Sequence, residues 1–129
     1  MGMFHYFDLG YSEVFVFDDY IINQIRKDKV ISTEQGFMLN DIIKTYFNNK
    51  KMVYISNKVK SYHVDPLAFK YAENIPNLAA MIIVNANNDN TVKKIPLQDF
   101  KKPFKICKSL TDAIVIADAI IKNEPMPNL

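Results

Sequence analysis

The stretch VYISNKVKSYHVDP, residues 53–66, begins as a buried strand and becomes polar within four residues. With Met52 in front of it, its apolar start is too short for a helix and is typical of a strand covered on both faces. Its end, Asp65 followed by Pro66, favours a helix start, because the aspartate can cap free amides and proline at the first helical position has no amide to satisfy. A covered strand that leads into a helix indicates an α/β fold.

The same alternation continues toward the carboxyl end of the chain. Residues 66–75 predict a short helix that ends at Pro76, and residues 78–84 (LAAMIIV) predict a second buried strand. After a loop in which we expect one helical turn behind Pro96, residues 104–108 (FKICK) predict a last strand that precedes a final helix. Strands that alternate with helices predict parallel pairing through right-handed crossovers.

The first part of the chain has a different pattern. Residues 5–25 (HYFDLGYSEVFVFDDYIINQI) are rich in β-branched and aromatic residues and are interrupted at Gly10 and at Asp18–Asp19. Short apolar segments on either side of a two-residue turn favour an antiparallel hairpin. We therefore expect antiparallel strands at the amino end of the sheet.

Two longer helices carry start and stop signals. Ser32 with Gln35 forms a capping box before the first, the asparagine pair 48–49 ends it, and Ser109 with Asp112 caps the last. The predicted apolar stripes are Leu39, Ile42, Ile43 and Tyr46 in the first helix, and Leu110, Ala113, Ile114, Ala117, Ile120 and Ile121 in the last. The predicted fold is a single-domain α/β mixed sheet over residues 1–122, with packed helices and a flexible tail over 123–129.

Composition narrows the class of protein. The net charge of +2 is too small to indicate nucleic-acid binding, and Arg26 is the only arginine. No apolar run approaches the ~20 residues of a membrane span, and no signal peptide is recognised, so we expect a soluble cytoplasmic protein without membrane insertion. The single Cys107 cannot form an internal disulfide and is predicted to be a small core residue.

Function is expected at the carboxyl ends of the parallel strands, where open α/β sheets bind ligands. The loop 56–65 lies there and supplies the candidate binding residues, which are Ser56, Asn57, Ser61, Tyr62, His63 and Asp65. Three of these have the residue types of a hydrolase triad, but alternate residues of an extended segment lie ~7 Å apart, beyond hydrogen-bond reach. We therefore predict no catalytic residues.

The spacing of the glycines, histidines and the cysteine does not match any cofactor-binding or metal-binding motif. The three glycines do not follow a buried strand, so no phosphate-binding loop is predicted. His5, His63 and Cys107 are too far apart in sequence to match a known metal motif. We expect neither a cofactor nor a metal.

Three segments resemble a family of small uncharacterised bacterial proteins described as STAS/SEC14-like. They are FDDYIINQI (17–25), VYISNKVKSYHVDP and KKPFKICKSLTDAI (101–114), and the resemblance extends from Tyr6 to about Ile121. It implies the STAS-like fold of anti-sigma-factor antagonists, in which the loop after the central strand binds a partner and carries a phosphorylatable serine. Carried over to this chain, the candidate phosphorylation sites are Ser56 and Ser61. SEC14-like relatives bind lipids.

Two functions remain open from the sequence. The first is a non-enzymatic regulatory or protein-interaction module that binds a protein partner through the loop 56–65. The alternative is a protein that binds a small anionic molecule or lipid headgroup, attracted by the lysine cluster Lys93, Lys94, Lys101, Lys102, Lys105 and Lys108. A homodimer formed through edge strands of the amino-terminal hairpin also remains open.

Overall fold

The computed structural model describes residues 5–10, 12–25, 30–31, 33–57, 63–64, 75–85 and 101–125. The strands are β1 (His5–Asp8), β2 (Ser12–Val16), β3 (Tyr20–Ile25), β4 (Val30–Ile31), β5 (Met52–Asn57), β6 (His63–Val64), β7 (Leu78–Val84) and β8 (Phe104–Cys107). The helices are α1 (Thr33–Phe47) and α2 (Leu110–Ile121). The helix predicted after Pro66 and the helical turn predicted after Pro96 lie outside the described residues.

Six strands form one mixed sheet in the order β1-β2-β3-β5-β7-β8. The first three are antiparallel to one another, and β3, β5, β7 and β8 are parallel. This confirms the predicted α/β mixed sheet with antiparallel strands at the amino end and parallel strands at the carboxyl end. The strands β4 and β6 form a separate parallel pair, which the sequence did not predict.

Both predicted turns connect antiparallel strands. Gly10 joins β1 to β2 at a φ of 85°, and its N–H donates to Asp8 Oδ1 at 2.9 Å. Asp18 and Asp19 join β2 to β3, where the N–H of Phe17 donates to the carbonyl of Tyr20 at 2.9 Å. The turns set the register in which side chains of neighbouring strands share a face.

The sheet has a hydrophobic layer on each face. On one face, residues of β2, β3, β5 and β7 pack against Ile42, Ile43 and Phe47 of α1. On the other, residues of β3, β5 and β7 pack against Ala113, Ile116 and Ala117 of α2. We call these the α1 face and the α2 face. Strand β5 is covered on both, as its continuous apolar sequence predicts.

The described helix ends have the capping residues that the sequence predicts. Asn48 and Asn49 take positive φ values of 37° and 70° behind α1, a conformation that asparagine tolerates better than most residues. Ser109 Oγ accepts the N–H of Asp112 at 3.1 Å, which confirms the predicted cap of α2. Ser32, the predicted cap of α1, lies outside the described residues.

The buried face of α2 is wider than the predicted stripe. Ala113 and Ala117 are buried as expected, but so are Ile116 and Ala119, which the stripe omitted. The reason is that α2 packs across three strands, β5, β7 and β8, so its contact surface is broader than one seam. The helix ends in a Schellman motif, in which the N–H of Glu124 donates to the carbonyl of Ala119 at 2.9 Å.

The Gly10 turn generates a stability prediction. A side chain at φ 85° is strained, although a Cβ there would meet no atom within 4 Å. Gly10→Ala should therefore lower the free energy of unfolding by about 1–2 kcal/mol, measured by urea denaturation. Gly10→Asn is the control and should lose less, because asparagine tolerates the left-handed region. Equal losses in both variants would contradict this account.

The α2 cap generates a second prediction. Ser109→Ala removes the acceptor for the amide of Asp112, so the free energy of unfolding should fall by about 1 kcal/mol. Ser109→Asp keeps an oxygen acceptor at the cap and should remain close to wild type in the same denaturation experiment. If Ser109→Ala leaves the midpoint unchanged, the cap does not stabilise the domain.

Candidate functional site

The carboxyl ends of the four parallel strands lie along one edge of the sheet, as the sequence predicts. We call this edge the carboxyl rim and define it by residues 23–25, 56–57, 84–85 and 107–109. Its alignment follows from the register, which places Asn23 beside Ser56 and Val84 beside Cys107. Strand β2 runs the opposite way, so its first residue, Ser12, reaches the same rim opposite Ile25.

Buried polar side chains are concentrated at this rim. Among the described residues, the buried polar side chains are Ser12, Asn23, Ser56, Asn57 and Asn85. Each lies at the rim or, for Ser12, next to it. The lower parts of the same strands are apolar on both faces. Because burying a polar group is unfavourable unless it is hydrogen-bonded, this concentration is a chemical feature of one edge and not a general property of the core.

Four of the five polar residues project from the α1 face. Asn23 pairs with Val14, and Ser56 is two residues beyond Tyr54, both part of the hydrophobic layer under α1. Neighbouring strands are ~4.8 Å apart, so Asn23 and Ser56 are adjacent on that face. Asn85 continues the same alternation after Ile83. Asn57 projects from the α2 face.

Two atoms of this group lack a hydrogen-bond partner. They are Ser12 Oγ and Asn23 Oδ1, whose residues are 0% and 1% exposed. Asn23 Nδ2 donates to the Tyr54 hydroxyl at 3.0 Å, which leaves the amide oxygen unsatisfied. Rotating the amide would exchange its two ends and leave the nitrogen unpaired instead. An unsatisfied buried polar atom costs about 1–3 kcal/mol, so this face of the rim is destabilised as it stands.

The opposite edge of the sheet is organised differently. There Lys50 Nζ donates to the carbonyl of Asp18 at 2.7 Å and pairs with Asp19 Oδ1 at 3.2 Å. Asn77 Nδ2 donates to the carbonyl of Lys50 at 3.0 Å. One unsatisfied buried atom lies at this edge, His5 Nε2, and its ring packs on Tyr46 with centroids 4.4 Å apart. The polar groups of these loops form hydrogen bonds and an ion pair with one another at the surface.

The strands β4 and β6 follow β3 and β5 along the chain and pair with each other. The chain leaves adjacent strands β3 and β5 at the rim, and it pairs again where Val30 meets His63 and Ile31 meets Val64. Helix α1 begins at Thr33, two residues after β4, and therefore starts at the rim end of the molecule.

The predicted site residues fall into three groups. Ser56 and Asn57 are the last two residues of β5, and both are buried. Strand β5 therefore includes the first two residues of the predicted loop 56–65. His63 supplies backbone pairing in β6. Ser61, Tyr62 and Asp65 lie outside the described residues. Phosphorylation of Ser56 would require the rim to open, because that residue is only 5% exposed.

Three polar residues of the rim, Ser12, Asn23 and Asn85, are not among the predicted binding residues, although the loop that begins at residue 85 is predicted to lie at the same edge. Asn23 interrupts the apolar segment YIINQI, and Asn85 follows an apolar strand, so each carried a local signal. A single asparagine in a half-buried strand is ambiguous, however, until its neighbours across the sheet are known. Ser12 gave no signal, because a serine at the start of a strand is ordinary turn chemistry.

One titratable group at the rim is a buried thiol. Cys107 is buried at the end of β8, which confirms its prediction as a core residue, and its Sγ–H donates to the carbonyl of Ser109 at 3.4 Å. Burial raises the pKa of the Cys107 thiol above its ordinary value, so it is protonated at neutral pH. Within the described ranges, no three His, Cys, Asp or Glu residues are grouped to hold a metal ion.

Comparisons with known proteins leave the family open. No family model, no curated protein and no solved structure matches this chain. In the described part of the chain, neither helix combines the length and apolar character needed to cross a membrane. The chemistry of the carboxyl rim therefore carries the functional argument.

Proposed function

We propose that this protein is a non-enzymatic module that binds a small polar molecule at the carboxyl rim, on the α1 face of the sheet. The observation that carries the proposal is the pair of unsatisfied buried atoms, Ser12 Oγ and Asn23 Oδ1. Both residues are enclosed, so a ligand would reach them only when the rim opens, as phosphorylation of Ser56 would also require. A ligand that then supplies hydrogen bonds to them would relieve a cost that the free protein bears. The position agrees with the general location of ligands in open α/β sheets.

The polar character of the site is set by neutral groups. Hydroxyls and amides converge there from different strands, and Tyr54 adds a phenol that is already bonded to Asn23. Such groups both donate and accept hydrogen bonds, so they suit a ligand with hydroxyl or amide groups. Of the described lysines in the cluster, only Lys108 lies at the rim, whereas Lys105 lies within β8 and Lys101 and Lys102 precede that strand. Attraction of an anion is therefore less well supported than binding of a neutral polar molecule.

Burial of Ser56 and Asn57 also argues against a role for these two residues in docking a partner protein. A partner protein reads exposed side chains, and these two are closed off by neighbouring strands and helices. Interaction or regulation through the rest of the loop depends on Ser61, Tyr62 and Asp65, which lie outside the described residues, and it stays a prediction from the sequence.

The first test uses Ser12→Ala. This change removes a hydroxyl that has no partner, so we expect the free energy of unfolding to stay constant or rise by about 1 kcal/mol. In the same variant the ligand loses a contact. Thermal unfolding with panels of sugars, amides, nucleosides and carboxylates should show a compound that raises the melting temperature of wild type and acts less on Ser12→Ala.

The second test uses Asn23→Leu, which keeps the branched shape and the number of side-chain heavy atoms and removes both polar atoms of the amide. Wild-type protein purified from its expression host under mild conditions should carry a small-molecule adduct in native mass spectrometry, and Asn23→Leu should not. Met81→Leu is the matched control, because Met81 is equally buried on the same face but lies below the rim. An adduct and a panel response that are identical in all three proteins would refute the proposed site.

A further inference from the structure

Among the described residues, β8 is the last strand of the six-stranded sheet, and no described strand pairs with its outer side. The N–H of Met81 donates to the carbonyl of Pro103 at 3.0 Å, and the N–H of Asn85 donates to that of Cys107 at 2.8 Å. Residues 103 and 107 therefore point their backbone groups inward, toward β7. Because this direction alternates along a strand, Phe104 and Ile106 point their N–H and C=O groups outward.

The same two residues carry exposed apolar side chains. Phe104 is 39% exposed and Ile106 is 41% exposed, and they pair with Met81 and Ile83, so both project from the α1 face. Two residues of one short strand thus combine free backbone groups with an apolar surface. These are the two requirements for an extended peptide to add to a sheet edge, since the backbone supplies affinity and alternate side chains supply specificity.

The lysines around β8 favour an acidic partner segment over a second copy of this chain. Lys102, Lys105 and Lys108 lie within seven residues, and the first acidic residue that follows is Asp112, in the first turn of α2. A second copy of the chain paired antiparallel about Lys105 would place that lysine opposite its own counterpart. Pairing about Ile106 would place Phe104 opposite Lys108 and would bring both sets of lysines to one seam. Lysines on an edge strand oppose such self-pairing.

An acidic segment meets no such repulsion. We propose that β8 receives an extended, acidic segment of a partner protein as a seventh strand, paired to Phe104 and Ile106 and flanked by the lysines. The partner segment would alternate apolar residues, which pack on the α1 face beside Phe104 and Ile106, with aspartate or glutamate. This surface shares Lys108 with the carboxyl rim but none of the buried polar residues of the ligand site, so the inference does not depend on the proposed ligand.

The probe for this test is a short synthetic peptide in which valine alternates with glutamate, with a valine–lysine peptide of the same length for comparison. Titration calorimetry on the full chain should show binding of the acidic peptide that weakens with added salt, because exposed charges are screened. The lysine peptide should not bind. Absence of binding by the acidic peptide at low salt would overturn the proposal.

Variants of β8 locate the contact. Ile106→Pro removes an outward N–H that the sheet does not use, so the fold should be kept while peptide binding is lost. Lys105→Glu with Lys108→Glu should weaken binding of the acidic peptide by roughly tenfold or more and should favour the lysine peptide. Val115→Thr is the matched control, since Val115 is 42% exposed but lies on α2, and it should bind as wild type does.

Two results would contradict the inference. Unchanged binding by Ile106→Pro, with circular dichroism confirming that the variant is folded, would show that the peptide attaches elsewhere. A dimer in sedimentation that dissociates in Ile106→Pro would show that a second copy, and not an acidic partner, occupies the edge. The rim variants Ser12→Ala and Asn23→Leu should leave peptide binding unchanged, so failure of the ligand proposal can be recognised separately.

Discussion

Strand β5 lies between β3 and β7 and is covered on both faces, and the rest of the structure depends on that burial. A parallel strand in this position needs an apolar layer above and below it, which α1 and α2 supply. The requirement also sets the chain path. Each parallel neighbour must be reached by a connection that crosses the sheet, so the strands start at one edge and end at the other. The carboxyl rim is a consequence of this arrangement.

Polarity changes along the strands and not between them. The lower parts are apolar on both faces, whereas the rim holds buried serines and asparagines. Packing alone would favour apolar residues at Ser12 and Asn23, because both are fully enclosed and each leaves an atom without a partner. Retaining such groups lowers the stability of the free protein. Local destabilisation of this kind is expected where a protein uses the same residues to bind something else.

At the β8 edge of the sheet, the feature that matters is an exposed strand and not buried polar groups. An open strand with two exposed apolar residues is a template for pairing with any extended chain. The lysines around it restrict that template, since they repel a second copy of the same strand and attract an acidic one. A feature that protects a monomer from self-association can therefore also define a partner. We therefore propose a small molecule for the rim and a peptide for the edge at β8.

The sequence by itself determined the elements whose signals are local. The antiparallel hairpins, the covered strands β5 and β7, the cap at Ser109 and the asparagine end of α1 follow from turn chemistry, apolar continuity and side chains that bond a few residues away. Alternation of strands and helices was sufficient to predict the mixed sheet and the common edge at which its parallel strands end. These features are predictable from the sequence because each depends on residues that are close together along the chain.

Tertiary structure alone decided which polar residues meet. Ser12, Asn23 and Ser56 come from three strands, and they share a face only because of the register of β2 with β3 and of β3 with β5. The pairing of β4 with β6 involves two residues on each side, too few for a periodic signal. The outward direction of Phe104 and Ile106 depends on which backbone groups bond to β7. Register, strand order and edge position arise from contacts between distant segments, and no local pattern encodes them.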